Sequence, residues 1–243
     1  FSLMVCGVAG TAGSVLVIYN IIIGPLIENV VQHIITAAVV NIPAALAFAK
    51  IMVPPEEGKF TEAQDIELNH WDSALGAISE GIIDGAKVVI MIIIMIIGFV
   101  AMIDIVDKIL TMFPDFYGTP LTLQRMLGWV MAPVAYIIGS TWKEAQLIES
   151  FIGTKVITNE IVAFTQLAQD GYVLSEKGRL LSIYSLCGFA NLGSIGILIG
   201  VYGVVVPGRK KEILKLGGKA VLAGTLSNCL TASIMAAINV LNF

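Results

Sequence analysis

Charged side chains are scarce in this sequence of 243 residues. Asp, Glu, Lys and Arg together make up 13% of it, whereas a soluble domain carries about 25%. With 57% hydrophobic residues, the chain lacks the polar side chains needed to cover a soluble globule. Several apolar runs reach spanning length, which indicates a protein of the lipid bilayer. The net charge of −4 offers no basic face, so we expect no nucleic-acid partner.

Histidine and cysteine are also rare, which bears on catalysis and metal binding. The two histidines, His33 and His70, lie far apart in the sequence and form no ligand pair. The three cysteines, Cys6, Cys187 and Cys229, lie in apolar surroundings. An odd set of this kind is typical of reduced thiols rather than of a disulfide framework. Because no nucleophile–base set or metal cluster is present, we expect no enzyme and no organic cofactor.

Long apolar segments separated by polar stretches predict a chain that crosses the membrane several times. These segments are residues 1–23, 31–53, 88–103 with its flanks, 181–206 and 213–243. Residues 88–103 are rich in β-branched side chains, but a lone strand cannot satisfy its backbone in lipid, so a helix is predicted. Residues 74–87 alternate at helical spacing and predict an interfacial helix, preceded by a polar surface loop over residues 54–73.

Between residues 121 and 168 two shorter segments stand where a full span would be expected. Residues 121–139 are apolar but contain Pro133, and a polar corner follows at residues 142–144. Residues 145–168 are only moderately apolar and contain Glu160. These features predict a re-entrant hairpin, which is tolerated at membrane depth where protein or water satisfies the backbone.

Two similar glycine-rich stretches interrupt apolar segments: CGVAGTAGSVLVIY over residues 6–19 and CGFANLGSIGILIG over residues 187–200. Glycine permits a helix to unwind within the membrane, where the released backbone groups can hold a cation and a polar solute. Close packing of helices through small residues is the alternative interpretation. Asn191 and Ser194 favour unwinding, because polar groups at such depth need partners.

The charges of the connections predict opposite orientations for the two glycine-rich spans. The basic cluster at residues 209–219 favours the cytoplasm, whereas residues 20–30 contain no Lys or Arg. We therefore predict an all-α polytopic membrane protein, an inverted-repeat transporter with a re-entrant hairpin and unwound transmembrane helices. Residues 1–53 hold the first broken helix and following span of repeat one. Residues 54–120 hold the interfacial helix, long span and loop, and residues 121–243 hold repeat two.

Longer motifs resemble those of a known family. GTKVITNEIVAF, residues 153–164, resembles the Gly-x-Lys-x-x-x-Asn-Glu-Phe-Val-Ala-aromatic signature of concentrative nucleoside transporters. YSLCGFANLGSIGILIG, residues 184–200, resembles their Ala-Leu-Cys-Gly-Phe-Ala-Asn-x-x-Ser-Ile segment, and the apolar arm LGWVMAPVAYIIG, residues 127–139, is also similar. The resemblance implies import of nucleosides driven by a sodium or proton gradient. It also implies a homotrimer in which each subunit has its own pathway.

The resemblance implies roles for five residues at a substrate site. Glu160 matches the signature glutamate at a hairpin tip, which contacts ribose hydroxyls. Asn191 and Ser194 match polar residues of the unwound helix that also contact the ribose. Phe189 matches an aromatic residue beside the bound nucleoside, and Val15 matches an apolar residue that packs against the base.

The resemblance also implies a site for a coupling ion and a segment that would precede this chain. Gly10 and Thr11 fall where the family holds sodium through backbone oxygens, but Gly10 replaces a frequent hydroxyl residue, so sodium and proton coupling both stay open. The layout of repeat two would place the base-reading hairpin of repeat one upstream of Phe1. We therefore expect the chain to be the C-terminal part of a transporter in the plasma membrane, most simply a bacterial inner membrane, where it supplies the ribose-binding half.

Several polar residues allow more than one interpretation. Glu160 is a functional candidate without the resemblance, because a carboxylate in an apolar segment is costly. Asn159 could orient Glu160 or cap a helix, and Lys155 could pair with a carboxylate or snorkel to the interface. Glu144 and Glu149 are expected to be solvated. A passive pore for polar solutes, or a symporter for another small polar metabolite, is the alternative function.

Overall fold

The computed structural model describes residues 1–54, 73–116 and 118–241, which form ten α-helices. The helices are α1 (Ser2–Ala9), α2 (Leu16–Ile23), α3 (Val30–Met52), α4 (Ala74–Leu110), α5 (Leu123–Ile137), α6 (Trp142–Ile157), α7 (Glu160–Asp170), α8 (Glu176–Leu186), α9 (Leu192–Val205) and α10 (Lys210–Leu241). Among these residues, the only β-type pairing is an isolated bridge between Phe116 and Thr119. The mostly helical prediction is therefore confirmed. The surface loop predicted over residues 54–73 lies almost entirely outside the described residues.

The longest apolar helical segments agree with the predicted spans. Within the described ranges, four are long and apolar enough to cross a membrane: Ser2–Ile23, Val30–Met52, Ala74–Leu110 and Lys210–Ile238. A shorter apolar helical segment covers Leu192–Gly203. The predicted span over residues 181–206 is divided between α8 and α9, and α8 begins five residues earlier than predicted, at Glu176.

Helix α4 joins two segments that the sequence pattern separates. The predicted interfacial helix and the following span form one helix of 37 residues. No proline interrupts this stretch, and the Ser73 side chain caps its start by accepting a hydrogen bond from the Gly76 N–H at 3.1 Å. At 1.5 Å per residue the helix is about 55 Å long, well beyond the roughly 30 Å of a hydrocarbon core. Its polar first turns therefore extend past the apolar region.

Two hydrophobic clusters hold the other helices together. The larger includes Phe151, Phe164 and Leu181 and joins α6, α7 and α8 to parts of α2, α3 and α10. The smaller includes Val5 and Ala220 and joins α1 to other parts of α3 and α10. Helices α3 and α10 contribute to both clusters, so they are the common support for the two glycine-rich stretches.

Helix α4 packs against the other helices through a close contact with α9. A Cβ atom at Gly196 would lie 2.8 Å from the Cβ of Met95, and one at Gly200 would lie 3.3 Å from the Cβ of Met91. The two helices therefore approach each other along the glycine face of α9, where a side chain would separate them. This contact places the middle of α4 beside the second glycine-rich stretch.

The region predicted as one hairpin contains three helices. Helices α5 and α6 pack closely at Gly153, where a Cβ atom would lie only 2.7 Å from the Gln124 carbonyl oxygen. The second predicted arm is then broken before Glu160, so that α6 and α7 fold back on each other. A hydrogen bond of 2.9 Å from Thr154 Oγ1 to Gln166 Oε1 links these two helices. One turn, between α5 and α6, ends at the predicted polar corner of residues 142–144, and a second turn, between α6 and α7, precedes Glu160, which the resemblance placed at a hairpin tip.

Candidate functional site

The first glycine-rich stretch contains a helix break. Helix α1 ends at Ala9, and Gly10 is extended, with φ −71° and ψ 165°. A short 3₁₀ turn over Gly13–Val15 then leads into α2. The Thr11 hydroxyl oxygen is buried and has no hydrogen-bond partner among the described residues. The expected interruption is therefore present, and it leaves a buried polar atom at its centre.

The second glycine-rich stretch is broken in a related way. Helix α8 ends at Leu186, and Gly188 has a φ of +155°, which a residue with a Cβ rarely adopts. Asn191 caps α9 because its Oδ1 accepts hydrogen bonds from the Ser194 N–H at 2.8 Å and the Ser194 hydroxyl at 3.0 Å. The Ser194 hydroxyl is also close enough to donate to the Phe189 carbonyl. The two polar residues thus support each other at the start of the helix.

The two breaks meet and share the same partners. The Phe189 N–H donates to the Gly10 carbonyl at 3.3 Å. The Asn41 side-chain amide donates to the carbonyls of Ala9 at 3.1 Å and Cys187 at 2.8 Å. The Asn228 amide donates to the same two carbonyls, at 3.0 and 2.8 Å. The carbonyls released at the two breaks are therefore satisfied by one asparagine from α3 and one from α10.

Sequence reasoning missed Asn41 and Asn228. Both side chains are completely buried, and their only signal in the sequence is an amide within an otherwise apolar span. Such residues face the protein interior and need partners. Their positions along the chain gave no indication that they share the same two carbonyls, because that contact depends on how α3 and α10 pack.

Glu160 begins α7 directly beside the paired breaks. Its side chain is 4% exposed, and its Oε1 accepts a hydrogen bond of 3.3 Å from the hydroxyl of the buried Tyr19. Its Oε2 is buried and has no partner in the described part of the chain. Of the two roles considered for Asn159, the structure shows the cap, since its Oδ1 accepts from the Val162 N–H at 3.0 Å.

A cavity of about 280 Å³ brings four of the five predicted substrate residues together. Glu160, Phe189, Asn191 and Ser194 line it. Val15 does not line this cavity and instead packs, partly buried, against the larger hydrophobic cluster. Gly10 and Thr11 are also outside its lining, in the first break. The residue roles stay predictions, but the four side chains share one space.

The part of the cavity lining that comes from α4, called here the apolar wall, is entirely apolar. Ile96, Phe99, Val100 and Ile103 form it. Sequence reasoning did not assign α4 to the site, because its apolar side chains look the same whether they face lipid or a cavity. The cavity therefore combines this apolar wall with a polar wall of a carboxylate, an amide and a hydroxyl, from Glu160, Asn191 and Ser194. Such a division suits a ligand with several hydroxyls on one edge.

Lys155 is fully buried and does not snorkel. Its ammonium donates to the Ser185 carbonyl at 2.9 Å and to Asn228 Oδ1 at 2.6 Å. Within the described residues it forms no ion pair with a carboxylate. Lys155 therefore follows neither of the two interpretations considered for it, since its partners are a carbonyl and an amide.

Glu144 and Glu149 are less solvated than expected. Glu144 Oε1 accepts a hydrogen bond of 2.6 Å from the Ser175 N–H. Burial favours the neutral carboxyl, but the hydrogen bonds from Ser175 and Thr141 outweigh it and hold the pKa of Glu144 below its usual value. Glu149 lines a separate polar cavity between α5, α6 and α7, and its Oε2 is buried without a partner among the described residues.

Comparison with known proteins shows which family this chain is similar to. Residues 33–236 match the family described as Na⁺ dependent nucleoside transporter C-terminus. An uncharacterized transporter of Haemophilus influenzae is 37% identical over 243 residues, which is 96% of this chain and 57% of that protein. The nucleoside permease NupC of Helicobacter pylori is 35% identical over 240 residues, covering 96% of this chain and 56% of the permease. The chain thus spans little more than half the length of these relatives.

Solved structures of a protein called CNTnw are also similar to this chain. A variant of CNTnw in an outward-facing state has a TM-score of 0.85 and 34% identity, covering 98% of this chain and 57% of that one. CNTnw in an inward-facing substrate-bound state has a TM-score of 0.70 and 34% identity, covering 97% and 56%. The helix arrangement described above is therefore more similar to the outward-facing structure.

Proposed function

Because the chain belongs to the family of Na⁺-dependent nucleoside transporters, we propose that it forms the ribose-binding half of an ion-coupled nucleoside symporter. The convergence of Glu160, Asn191 and Ser194 in one cavity, beside two meeting helix breaks, carries this proposal. The cavity lies among apolar spanning helices, which agrees with a multi-pass protein of the plasma membrane. The homotrimer implied by the resemblance stays a prediction.

The polar wall of the cavity has the chemistry that sugar hydroxyls need. Glu160 Oε2 can accept a hydrogen bond from a ligand hydroxyl, since no described residue donates to it. Asn191 Oδ1 accepts a hydrogen bond from the Ser194 N–H, which leaves the Asn191 amide nitrogen to donate to a ligand. A site built in this way rejects analogues that lack the matching hydroxyl, because its buried polar groups would lose their partners. We therefore expect ribonucleosides to bind more tightly than deoxynucleosides.

The first break offers part of a site for a coupling cation. The Thr11 hydroxyl oxygen is buried without a partner among the described residues. The preceding residue, Gly10, is extended, and its carbonyl accepts one hydrogen bond, from the Phe189 N–H. Both oxygens fit a hard cation such as Na⁺, which would supply the link to the ion gradient. Other ligands would have to complete the set, since two oxygens are too few. Proton coupling is the alternative.

The membrane arrangement is also a proposal. We take α1, α2 and α3 as one repeat and α8, α9 and α10 as the other, related by inversion across the membrane. The shared pattern of Asn41 and Asn228 supports this pairing, since each donates to the same two carbonyls. Helices α6 and α7 would form the re-entrant hairpin with Glu160 at its tip. The greater likeness to an outward-facing structure suggests that the described arrangement is the outward-facing one.

Uptake by the full-length transporter in liposomes tests the proposal. Radiolabelled uridine and adenosine would be offered with a sodium gradient and a pH gradient imposed separately. An ion-coupled symporter accumulates nucleoside above its outside concentration with one of the gradients, and loses this accumulation when the gradient is collapsed. A passive pore would only equilibrate the nucleoside. No uptake of either nucleoside, with uptake of another polar solute, would favour a different substrate.

Substitution of Glu160 tests the role of the cavity. Glu160→Gln removes a charged acceptor, and a hydrogen bond to a charged group contributes about 1.5–3 kcal/mol, or roughly 10- to 150-fold in affinity. Phe189→Leu should weaken uptake less, because it keeps the apolar contact. Glu149→Gln is the matched control, since Glu149 is a partly buried glutamate that lines a different cavity. Unchanged uptake by Glu160→Gln would refute the assignment.

A further inference from the structure

We propose that Lys155 is a positioning residue of the substrate site: its ammonium neutralises the carbonyl ends of two broken helices and so holds the hairpin tip that carries Glu160. This inference rests on the proposed function, because it concerns the geometry of the same site.

The ammonium of Lys155 lies where two helices end. It donates to the carbonyl of Ser185, in the last turn of α8, and to Asn228 Oδ1. Asn228 in turn donates to Ala9, the last residue of α1, and to Cys187, which follows α8. Lys155 is therefore one contact away from the end of α1 and in direct contact with the end of α8.

The two helix ends bring negative charge beside the Lys155 ammonium. The C-terminus of a helix carries roughly half a negative elementary charge, so two converging ends carry about one. A buried cation is otherwise strongly unfavourable. Glu160 interacts electrostatically with Lys155, but no carboxylate of the described residues forms an ion pair with it. One ammonium thus balances two carbonyl ends, and it is attached to the protein rather than taken from solution.

The fixed position of the Lys155 ammonium has a direct effect on the site. Lys155 lies in the last turn of α6, and only residues 158–159 separate that helix from Glu160, the first residue of α7. Fixing the ammonium therefore fixes the end of α6 and the turn that presents the Glu160 carboxylate. Without the cation, the two carbonyl ends would repel each other and the hairpin tip would lose its anchor.

Two substitutions separate the charge of Lys155 from its volume. Lys155→Ala removes both and leaves space for a small cation, whereas Lys155→Met removes the charge and keeps most of the volume. Binding of uridine and adenosine to the purified full-length transporter would be measured together with its melting temperature. Methylammonium chloride would be added in increasing amounts, with choline chloride at the same ionic strength as the control.

We expect both variants to bind nucleoside about 10-fold more weakly or worse, by analogy with metal sites, where losing a residue that orients a ligand costs about 10- to 100-fold. Methylammonium should restore the affinity of Lys155→Ala and raise its melting temperature. It should affect neither the wild type nor Lys155→Met, and choline should be too large to act.

Several outcomes would overturn the inference. Wild-type affinity in Lys155→Met would show that the charge does not position the site. If Lys155→Ala binds nucleoside more weakly and methylammonium does not restore its affinity, the same conclusion follows. If Lys155→Ala does not fold, the affinity of Lys155→Met decides alone. If the wild type binds neither nucleoside, the proposed function fails, while the melting temperature of Lys155→Ala in methylammonium still tests the cation.

Discussion

Gly188 stands where the two helix breaks and their asparagine partner come closest, which makes Gly188→Ala a sharp test of this geometry. A Cβ atom there would lie 2.6 Å from the Ala9 carbonyl oxygen, 2.6 Å from Asn228 Oδ1 and 2.7 Å from Asn228 Nδ2. All three distances are shorter than real Cβ contacts. The substitution would therefore push apart the atoms through which α1, α8 and α10 are joined.

The expected destabilisation has two parts. A residue with a Cβ at this positive φ costs about 1–3 kcal/mol, and overpacking a closely packed interior costs about 1–3 kcal/mol. Together they amount to about 2–6 kcal/mol. The shift is about 2–4 °C per kcal/mol for 150–250 residues and smaller for a longer chain, so the melting temperature of the full-length transporter should fall by at least about 2 °C.

Thermal unfolding of the full-length transporter in detergent measures this effect. Gly203→Ala is the matched control, because Gly203 lies within α9 and a Cβ there would meet nothing within 4 Å. Alanine favours a helix by about 0.5–1 kcal/mol over glycine, so the control should melt at the wild-type temperature or above it. Equal melting of Gly188→Ala and the wild type would refute the close approach of the two breaks.

Three further predictions concern single contacts. Tyr19→Phe removes the hydroxyl that donates to Glu160; calorimetry should show nucleoside affinity lowered by about 0.5–1.5 kcal/mol, roughly 2- to 12-fold, and unchanged affinity would contradict the contact. Gly153→Ala places a Cβ 2.7 Å from a backbone oxygen of α5; we expect a loss of about 1–3 kcal/mol in unfolding free energy, and wild-type stability would argue against this packing. Because the pKa of Glu144 is lowered in the folded state, its stabilising effect is present above the usual carboxyl value of 4.5 and is lost as the pH falls through the lower folded value. The melting temperatures of the wild type and Glu144→Gln should therefore differ at neutral pH and converge in acid, and a constant difference would contradict the assignment.

The helical class and the two breaks could be predicted because they depend on local signals. Apolar segments of spanning length require helices, and glycine beside polar residues marks the positions where those helices stop. Asn191 illustrates this well, since one residue both caps α9 and lines the cavity. Its type and neighbours are visible in the sequence.

The turn of the hairpin was harder to predict. Thr158 and Asn159 end α6 and cap α7, but neither residue interrupts a hydropathy pattern in the way that proline or a run of charges does. The polar corner at residues 142–144 gave a stronger signal, and a turn between α5 and α6 does precede it. Only the resemblance placed a hairpin tip at Glu160. Helix α4 was divided at Lys87, because charge pattern suggested a boundary that backbone geometry does not require.

Contacts between distant parts of the chain could not be derived from the sequence. Lys155 reaches Asn228, and Tyr19 reaches Glu160, only because α6, α10 and α2 pack around the breaks. The sequence pattern left open whether Lys155 snorkels or pairs with a carboxylate, and its true partners were in neither alternative. Such partners depend on packing and not on residue type.

The division of the cavity into a polar wall and an apolar wall also separates two properties of a ligand. Groups on the polar wall can discriminate between ligands by the position of their hydroxyls, whereas the α4 side chains contribute only shape and dispersion. Changes in α4 that enlarge or reduce the cavity should alter which sizes are accommodated without changing the hydroxyl pattern that is read. Selectivity for size and selectivity for stereochemistry could therefore change independently, because different helices encode them.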